Sequence, residues 1–211
     1  MLPPTVDRLR SDQAAATPEA QTAARRKLGL GKGPVWLWMG LQAKTKGLDR
    51  ALEALPACSN ARLLVCGLDP TSRGGVDALR LATRLGVEDR VKWLGFVSSV
   101  ELGEAMAAAD LLVHPSRADV TGTVILEALA SGLPVITTAI CGYGEHVLAA
   151  GAGVVLPEPF QAPDLHRALA EAMPETLATW SANALGYAVR DELYSGLERA
   201  ADLILADGYG R

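Results

Sequence analysis

Six short apolar runs recur along the chain, and stretches with helical spacing of apolar residues separate them. The runs contain β-branched or large apolar residues, and most end at Gly or Pro, which is typical of buried strands. They are VWLWMG (35–40), ARLLVCG (61–67), VKWLG (91–95), LLVHP (111–115), PVITTA (134–139) and GVVLP (153–157). Because the runs are continuously apolar, we expect a sheet that is covered on both faces.

Helical patterns follow the strands in alternation, at 48–57, 77–86, 100–110, 122–132 and, as a shorter turn, near 144–151. Such alternation favours parallel strands joined by right-handed crossovers. The sequence therefore predicts an α/β fold: a Rossmann-like, doubly wound parallel sheet with helices on both faces.

The two flanking regions have a different pattern. Residues 1–33 are rich in Ala, Pro, Gly and charge, and we interpret them as a linker with one helix at about 18–28. Residues 34–160 form the predicted Rossmann-like domain, and 161–211 contain apolar residues at helical spacing without strand patterns. We therefore expect a helical tail, whose apolar face would need a partner.

Composition limits the class of protein. The 211 residues are 49% hydrophobic and 21% charged, which fits one large globular domain and argues against extended disorder. The net charge of −4 gives no general attraction to nucleic acid. Cys58, Cys66 and Cys141 lack zinc-type spacing and suit reduced, buried thiols. With no long apolar run and no signal-peptide pattern, we expect a cytoplasmic location.

Candidate chemistry lies where parallel strands end, because ligands of such sheets bind beyond the carboxyl ends of the strands. The loop 40–47 after the first strand carries Lys44 and Lys46. The loop 114–122 after the fourth strand leads into a helix at Gly122. A glycine there lets a phosphate approach the unpaired N–H groups of the helix, so we predict an anion site over which both lysines close.

Two acids accompany this helix. Asp119 precedes it and Glu127 lies in its second turn, and carboxylates accept hydrogen bonds from sugar hydroxyls. A phosphate site between two such acids suits a nucleotide-sugar. Alternatively, Asp119 is a helix-terminal acid favoured by the dipole, and Glu127 is a solvated residue or a lysine partner. His114 is either a hydrogen-bonded structural residue near the site or a catalytic one.

The segment LLVHPSRADVTGTVILEALASGLPVITTAICGYGEHV (111–147) resembles the signature of retaining GT-B glycosyltransferases. Four further segments resemble the lipopolysaccharide core glucosyltransferases within that family: LPPTV (2–6), KTKGLDRALEAL (44–55), AMAAADLLVHP (105–115) and DELYSGLERAADLIL (191–205). The resemblance covers nearly the whole chain. It implies that the chain is half of a GT-B fold, namely the C-terminal half that binds the nucleotide-sugar donor.

The resemblance also implies roles for individual residues. Asp119 matches the first acid of a two-acid motif and would contact the transferred sugar, and Lys46 matches the diphosphate-binding lysine. Glu127 matches the second acid and would bind the ribose hydroxyls. The remaining residues of the implied substrate site are Val120, Thr121, Gly122, Thr123, Lys44 and Gly40, with Phe96 and Val97 where the base is held.

The chain departs from the family pattern in three places. The first acid is usually glutamate, so Asp119 is shorter by one methylene. Many relatives carry an arginine where Thr45 stands, and the usual glycine-serine after the first strand is Gly40-Leu41. Lysine is a point charge where arginine is a two-pronged donor, so a different arrangement of the phosphate contacts is expected.

The implied reaction is transfer of glucose from UDP-glucose to a heptose of the lipopolysaccharide inner core, with retention of configuration and without metal or cofactor. Acceptor binding would need an N-terminal domain, so we expect this chain alone to be inactive. A separate N-terminal-half polypeptide or self-association would cover the tail, and attachment to the inner face of the inner membrane is an alternative location. Two other functions stay open: a non-catalytic nucleotide-sugar-binding module and a nucleotide-sugar epimerase of related architecture.

Overall fold

A computed structural model describes residues 17–189 of the chain. Within this range six strands form one fully parallel sheet with the order β3-β2-β1-β4-β5-β6. The strands are β1 (Val35–Met39), β2 (Arg62–Cys66), β3 (Val91–Gly95), β4 (Leu111–His114), β5 (Val135–Thr138) and β6 (Gly153–Leu156). Each overlaps one of the six apolar runs, so the predicted Rossmann-like sheet is confirmed.

Eight α-helices lie in the described range. They are α1 (Pro18–Lys27), α2 (Leu48–Ala54), α3 (Arg73–Arg84), α4 (Ser99–Ala108), α5 (Thr123–Ala130), α6 (Gly144–Ala150), α7 (Ala162–Glu171) and α8 (Pro174–Ala188). Two short 3₁₀ turns, Leu55–Ala57 and Glu88–Arg90, complete the connections. The predicted helix at about 18–28 is α1. The predicted helical tail, 161–211, is seen as α7 and α8 up to residue 189, and its remainder, including the 191–205 segment, lies outside the described residues.

The sheet lies between two helical layers because alternate strand side chains point to opposite faces. Val35, Leu37 and Met39 of β1 pack with buried residues of α1, α4, α5, α6 and α8. Trp36 and Trp38 pack with buried residues of α2, α3 and α7. All five side chains of β1 are therefore buried, which agrees with the expectation of a sheet covered on both faces.

The strand order determines where a ligand can enter. The chain proceeds from β1 to β3 on one side and from β4 to β6 on the other, so the connections diverge between β1 and β4. Divergent connections leave a crevice beyond the carboxyl ends of those two strands, and this is where ligands of doubly wound sheets bind. No helix in the described part of the chain is long and apolar enough to cross a membrane.

Candidate functional site

The loops after β1 and β4 meet in this crevice. Gly47 adopts a left-handed conformation with φ 71° at the start of α2, and a Cβ there would lie 2.0 Å from the backbone oxygen of Pro115. Ser116, which is buried, donates its hydroxyl to the backbone oxygen of Thr45 over 3.0 Å. The two loops therefore touch through backbone atoms, and this close approach requires glycine at position 47.

Asp119 is the centre of the site. Its Oδ2 lies 2.8 Å from Nζ of Lys46 and 2.9 Å from Nε2 of His114. Its Oδ1 accepts a hydrogen bond of 2.8 Å from the amide of Gly122. The Asp119 side chain is only 8% exposed, compared with 25% for Lys46. One carboxylate thus joins the lysine loop, the end of β4 and the start of α5.

The ionised form of Asp119 is strongly favoured. Burial raises the pKa of this carboxyl, but hydrogen bonds and positive charge from His114 and Lys46 outweigh burial and lower the pKa to about 2. An ionised carboxylate only accepts hydrogen bonds, so Nε2 of His114 carries the hydrogen between them. At neutral pH the site therefore contains a carboxylate neutralised by Lys46.

His114, the last residue of β4, contacts Asp119 from the buried side of the site. Its side chain is 1% exposed, and its backbone oxygen accepts a hydrogen bond from Thr137. Its Nδ1 has no hydrogen-bond partner among the described residues. Ligand atoms of His114, Asp119 and Cys141 lie within 4.8 Å of one another, which is a grouping of metal-ligand type. Both oxygens of Asp119 already accept hydrogen bonds, so a metal ion there would compete with donors that are in place.

Gly122 opens α5 in the way that the sequence predicts for an anion site. It has φ 72°, and as a glycine it offers no capping side chain to the helix amides that follow, while its own amide donates to Asp119. Val120, Thr121 and Thr123 around it are all exposed. The helix therefore presents its first backbone amides at the exposed end of the crevice, next to Lys46. Glu127 lies half-buried in the second turn of α5, one turn deeper than this opening.

The two lysines point to different partners. Lys46 pairs with Asp119, whereas Lys44 is 77% exposed and pairs with Asp49 of α2 over 2.8 Å. Arg117 binds the same Asp49 with both arms of its guanidinium, at 2.7 and 2.9 Å. The sequence reasoning missed Arg117 and Asp49. The available signal was that Arg117 lies in the same post-strand loop as Asp119.

The other predicted residues lie at the same edge of the sheet. Gly40 lies under the stem of Lys46, because a Cβ there would come within 3.0 Å of Lys46 Cγ. Phe96 is 73% exposed, and Val97 is half-buried against the core. Both follow β3, which is three strand spacings or about 14 Å from β4. The structure thus brings Lys46, Gly40, Asp119 and Gly122 together and leaves Phe96 and Val97 at a separate position along the edge.

Comparison with known proteins agrees with this architecture. The family described as glycosyl transferases group 1 matches residues 20–189. The lipopolysaccharide glucosyltransferase WaaG of Escherichia coli strain K12 is 37% identical over 214 residues, which cover 97% of this chain and 55% of WaaG. The chain therefore spans about half the length of this relative.

Solved structures show the same fold. The crystal structure of WaaG, a GT-B enzyme, matches with a TM-score of 0.85 at 34% identity, over 96% of this chain and 55% of WaaG. Anabaena Alr3699/HepE, solved in complex with UDP-glucose, matches with a TM-score of 0.81 at 25% identity, over 96% of this chain and 56% of that protein. The predicted GT-B resemblance is confirmed, and this chain belongs to the group 1 glycosyltransferases.

Proposed function

We propose that this chain binds a nucleotide-sugar donor at the crevice between β1 and β4, and that it serves transfer of glucose from UDP-glucose to a heptose of the lipopolysaccharide inner core. The observation that carries the proposal is the position of the Lys46 ammonium beside Asp119 and the uncapped start of α5. A cation and unpaired helix amides are the two groups that bind a diphosphate without metal. The UDP-glucose complex of the related Anabaena protein supports this choice of donor.

The chemistry follows from where negative charge develops. When the bond between the sugar and the diphosphate breaks, the diphosphate gains charge, and Lys46 together with the amides of α5 stabilises it. Asp119 holds the Lys46 ammonium at the helix start before the ligand arrives, so little reorganisation is needed. Glu127 accepts hydrogen bonds from the ribose hydroxyls. We propose retention by attack on the same face of the sugar, with no covalent intermediate on this chain.

Exposed apolar side chains at the carboxyl ends of the strands indicate a second binding surface next to the proposed donor site. Leu41, Phe96, Val120 and Ile140 are 69%, 73%, 93% and 45% exposed, and each lies in a loop that follows a strand. Scattered apolar residues are common on surfaces, but these four occupy one edge of the sheet. We propose that they face the acceptor-binding domain, which is a part of the longer relatives that this chain does not cover.

Calorimetric titration with two ligands tests the donor site. Lys46→Met should weaken the binding of both UDP and pyrophosphate, since both contain the diphosphate. Glu127→Gln should weaken UDP binding about tenfold and leave pyrophosphate binding unchanged, because only UDP has ribose hydroxyls. Glu171→Gln, at the exposed end of α7, is the matched control. If both site variants bound UDP as the parent does, the proposed donor site would be wrong.

A transfer assay tests the division of labour. We expect the chain to bind UDP weakly and to transfer no glucose to a heptose-containing acceptor, because the acceptor-binding groups belong to the other domain. Transfer should appear when that domain of a WaaG-like enzyme is supplied. Efficient transfer by the chain alone would contradict this part of the proposal, whereas the titration would still test the donor site.

A further inference from the structure

Backbone carbonyls of the lysine loop are held from outside the loop at three consecutive positions. The carbonyl of Lys44 accepts from Nη1 of Arg117 at 2.8 Å. The carbonyl of Thr45 accepts from the Arg117 amide at 2.8 Å and from the Ser116 hydroxyl at 3.0 Å. The carbonyl of Lys46 accepts from the indole of Trp38 at 2.9 Å. Residues outside the loop therefore fix the backbone at three consecutive positions that include Lys46.

Arg117 contributes twice to this arrangement, through its backbone and through its side chain. Its guanidinium also grips Asp49 at 2.7 and 2.9 Å, and a two-pronged ion pair of this kind has a fixed geometry. Asp49 lies in the first turn of α2, immediately after the lysine loop. The neighbouring Arg50 donates to the carbonyls of Pro115 and Ser116 at 3.0 and 3.1 Å. The start of α2 and the loop after β4 are therefore joined in both directions.

We propose that Arg117 is a positioning residue for Lys46: it fixes the loop 44–46 so that the ammonium of Lys46 meets the diphosphate at the start of α5. The inference deepens the proposed function and rests on it. Lys46 has a long, flexible side chain, and its ammonium binds Asp119. The backbone of its loop is fixed by hydrogen bonds from Arg117 and Trp38. A small displacement of the Lys46 ammonium would slow the reaction, because the negative charge of the leaving diphosphate develops at one position.

The contacts distinguish this role from a direct phosphate contact. Both arms of the guanidinium are engaged by Asp49, and one of them also donates to the Lys44 carbonyl. Burial raises the pKa of Asp49, but hydrogen bonds from Arg117 and Lys44 lower it below its usual value, so the acid is ionised and the pair persists at neutral pH. Arg117 therefore acts on the ligand through the loop.

Two variants test the role from its two sides. Arg117→Met keeps the length of the side chain and removes the guanidinium, and Asp49→Asn keeps the shape of the partner and removes its charge. Each should weaken UDP binding about tenfold, because each releases the loop that carries Lys46. Arg80→Met and Asp77→Asn are the matched controls, since this exposed pair on α3 has the same charges and lies away from the site. The controls should bind UDP as the parent does.

The Asp49→Asn variant separates the two possible roles of the arginine. Weaker UDP binding supports positioning, whereas tighter binding would mean that a released guanidinium contacts the phosphate directly and would overturn the proposal. Unchanged binding in both site variants, with a parent that binds UDP, would also overturn it.

Hydrogen exchange gives a readout that needs no ligand. The amides of Lys46, Gly47 and Leu48 donate within the loop, to the carbonyls of Gln42, Lys44 and Ala43. Exchange in a peptide spanning 42–48 should become faster in Arg117→Met and in Asp49→Asn, and it should stay unchanged in the controls. Exchange at the parent rate in both site variants would overturn the positioning role even if the parent did not bind UDP. Failure of UDP binding by the parent would instead count against the proposed function.

Discussion

The two ends of β4 carry aspartates with matching sets of donors. Asp110, just before the strand, accepts from Nη2 of Arg25 at 2.6 Å, from the side-chain amide of Gln21 at 3.1 Å and from the backbone N–H of Val35 at 2.8 Å. Asp119, beyond the other end, accepts from Lys46, the His114 ring and the Gly122 N–H. Each carboxylate accepts from a lysine or arginine, from one further side chain and from one backbone amide.

The cations make the difference. Arg25 also donates to the carbonyls of Ala108 at 2.9 Å and Gly33 at 3.4 Å, so it ties α1 to the end of α4 and to the segment before β1. Lys46 has an ion pair with Asp119 and faces the uncapped start of α5. A cleft of about 570 Å³ lies at the Asp110 end, yet its charged residues already bind one another. The two ends therefore differ in what surrounds the ion pair: Arg25 also binds backbone carbonyls, whereas Lys46 lies next to the start of α5.

Exchanging each cation for methionine should give the largest difference between the two ends of β4, in UDP affinity and in unfolding free energy. Lys46→Met should weaken UDP binding about thirtyfold, or about 2 kcal/mol, because a charge-assisted contact with the diphosphate is lost. Its unfolding free energy should fall by less than about 1 kcal/mol, since Asp119 keeps two donors. Arg25→Met should leave UDP binding unchanged and lower the unfolding free energy by about 2 kcal/mol, because Asp110 and two backbone carbonyls each lose one donor.

Titration calorimetry and urea unfolding of the same samples measure both quantities. Lys27→Met serves as a control for loss of a charge on α1, since this exposed lysine pairs with Glu104 at the surface. The comparison would be wrong if Arg25→Met weakened UDP binding as strongly as Lys46→Met did.

The sequence predicted the fold well because each apolar run is short and is followed by a helical pattern. The loops of the candidate site were also predictable, since the segments that carry Lys46 and Gly122 follow β1 and β4 in the chain. The pairing of Arg117 with Asp49 was not, because these residues are 68 positions apart and meet only when the β1 and β4 loops come together. The divergent directions of Lys44 and Lys46 follow from their partners. Asp49, five residues further along the chain at the start of α2, pairs with Lys44, whereas Asp119 in the loop after β4 pairs with Lys46.

Substitution of Gly122, at the carboxyl end of the sheet, and of Gly33, at the opposite end, should also affect UDP binding differently. In Gly122→Ala, the left-handed backbone at φ 72° costs about 1–2 kcal/mol of stability, and the methyl group would lie 3.0 Å from Ile125. UDP binding should weaken as well, because the helix start shifts. Gly33→Ala, before β1, places its methyl 2.7 Å from the Asn60 carbonyl and should lower stability alone. Thermal unfolding with and without UDP measures this, and an unaltered UDP affinity in Gly122→Ala would contradict the anion site.

Acid should destabilise the contacts of Asp119 with Lys46 and His114, and we expect this to be the smallest of the predicted effects on stability. The pKa of Asp119 is about 2 in the folded chain and 3.8 for an unperturbed aspartate, so its carboxylate stabilises the fold above about pH 4, and this contribution is lost as the pH falls towards 2. Between about pH 5 and about pH 3.5 the loss should be roughly 0.5 kcal/mol, allowing for solvent screening. Asp119→Asn should lack this part of the decline, whereas Asp77→Asn, an exposed control, should follow the parent. Urea unfolding at the two pH values measures the difference, and equal declines in the parent and Asp119→Asn would show that Lys46 and His114 do not hold the carboxylate ionised.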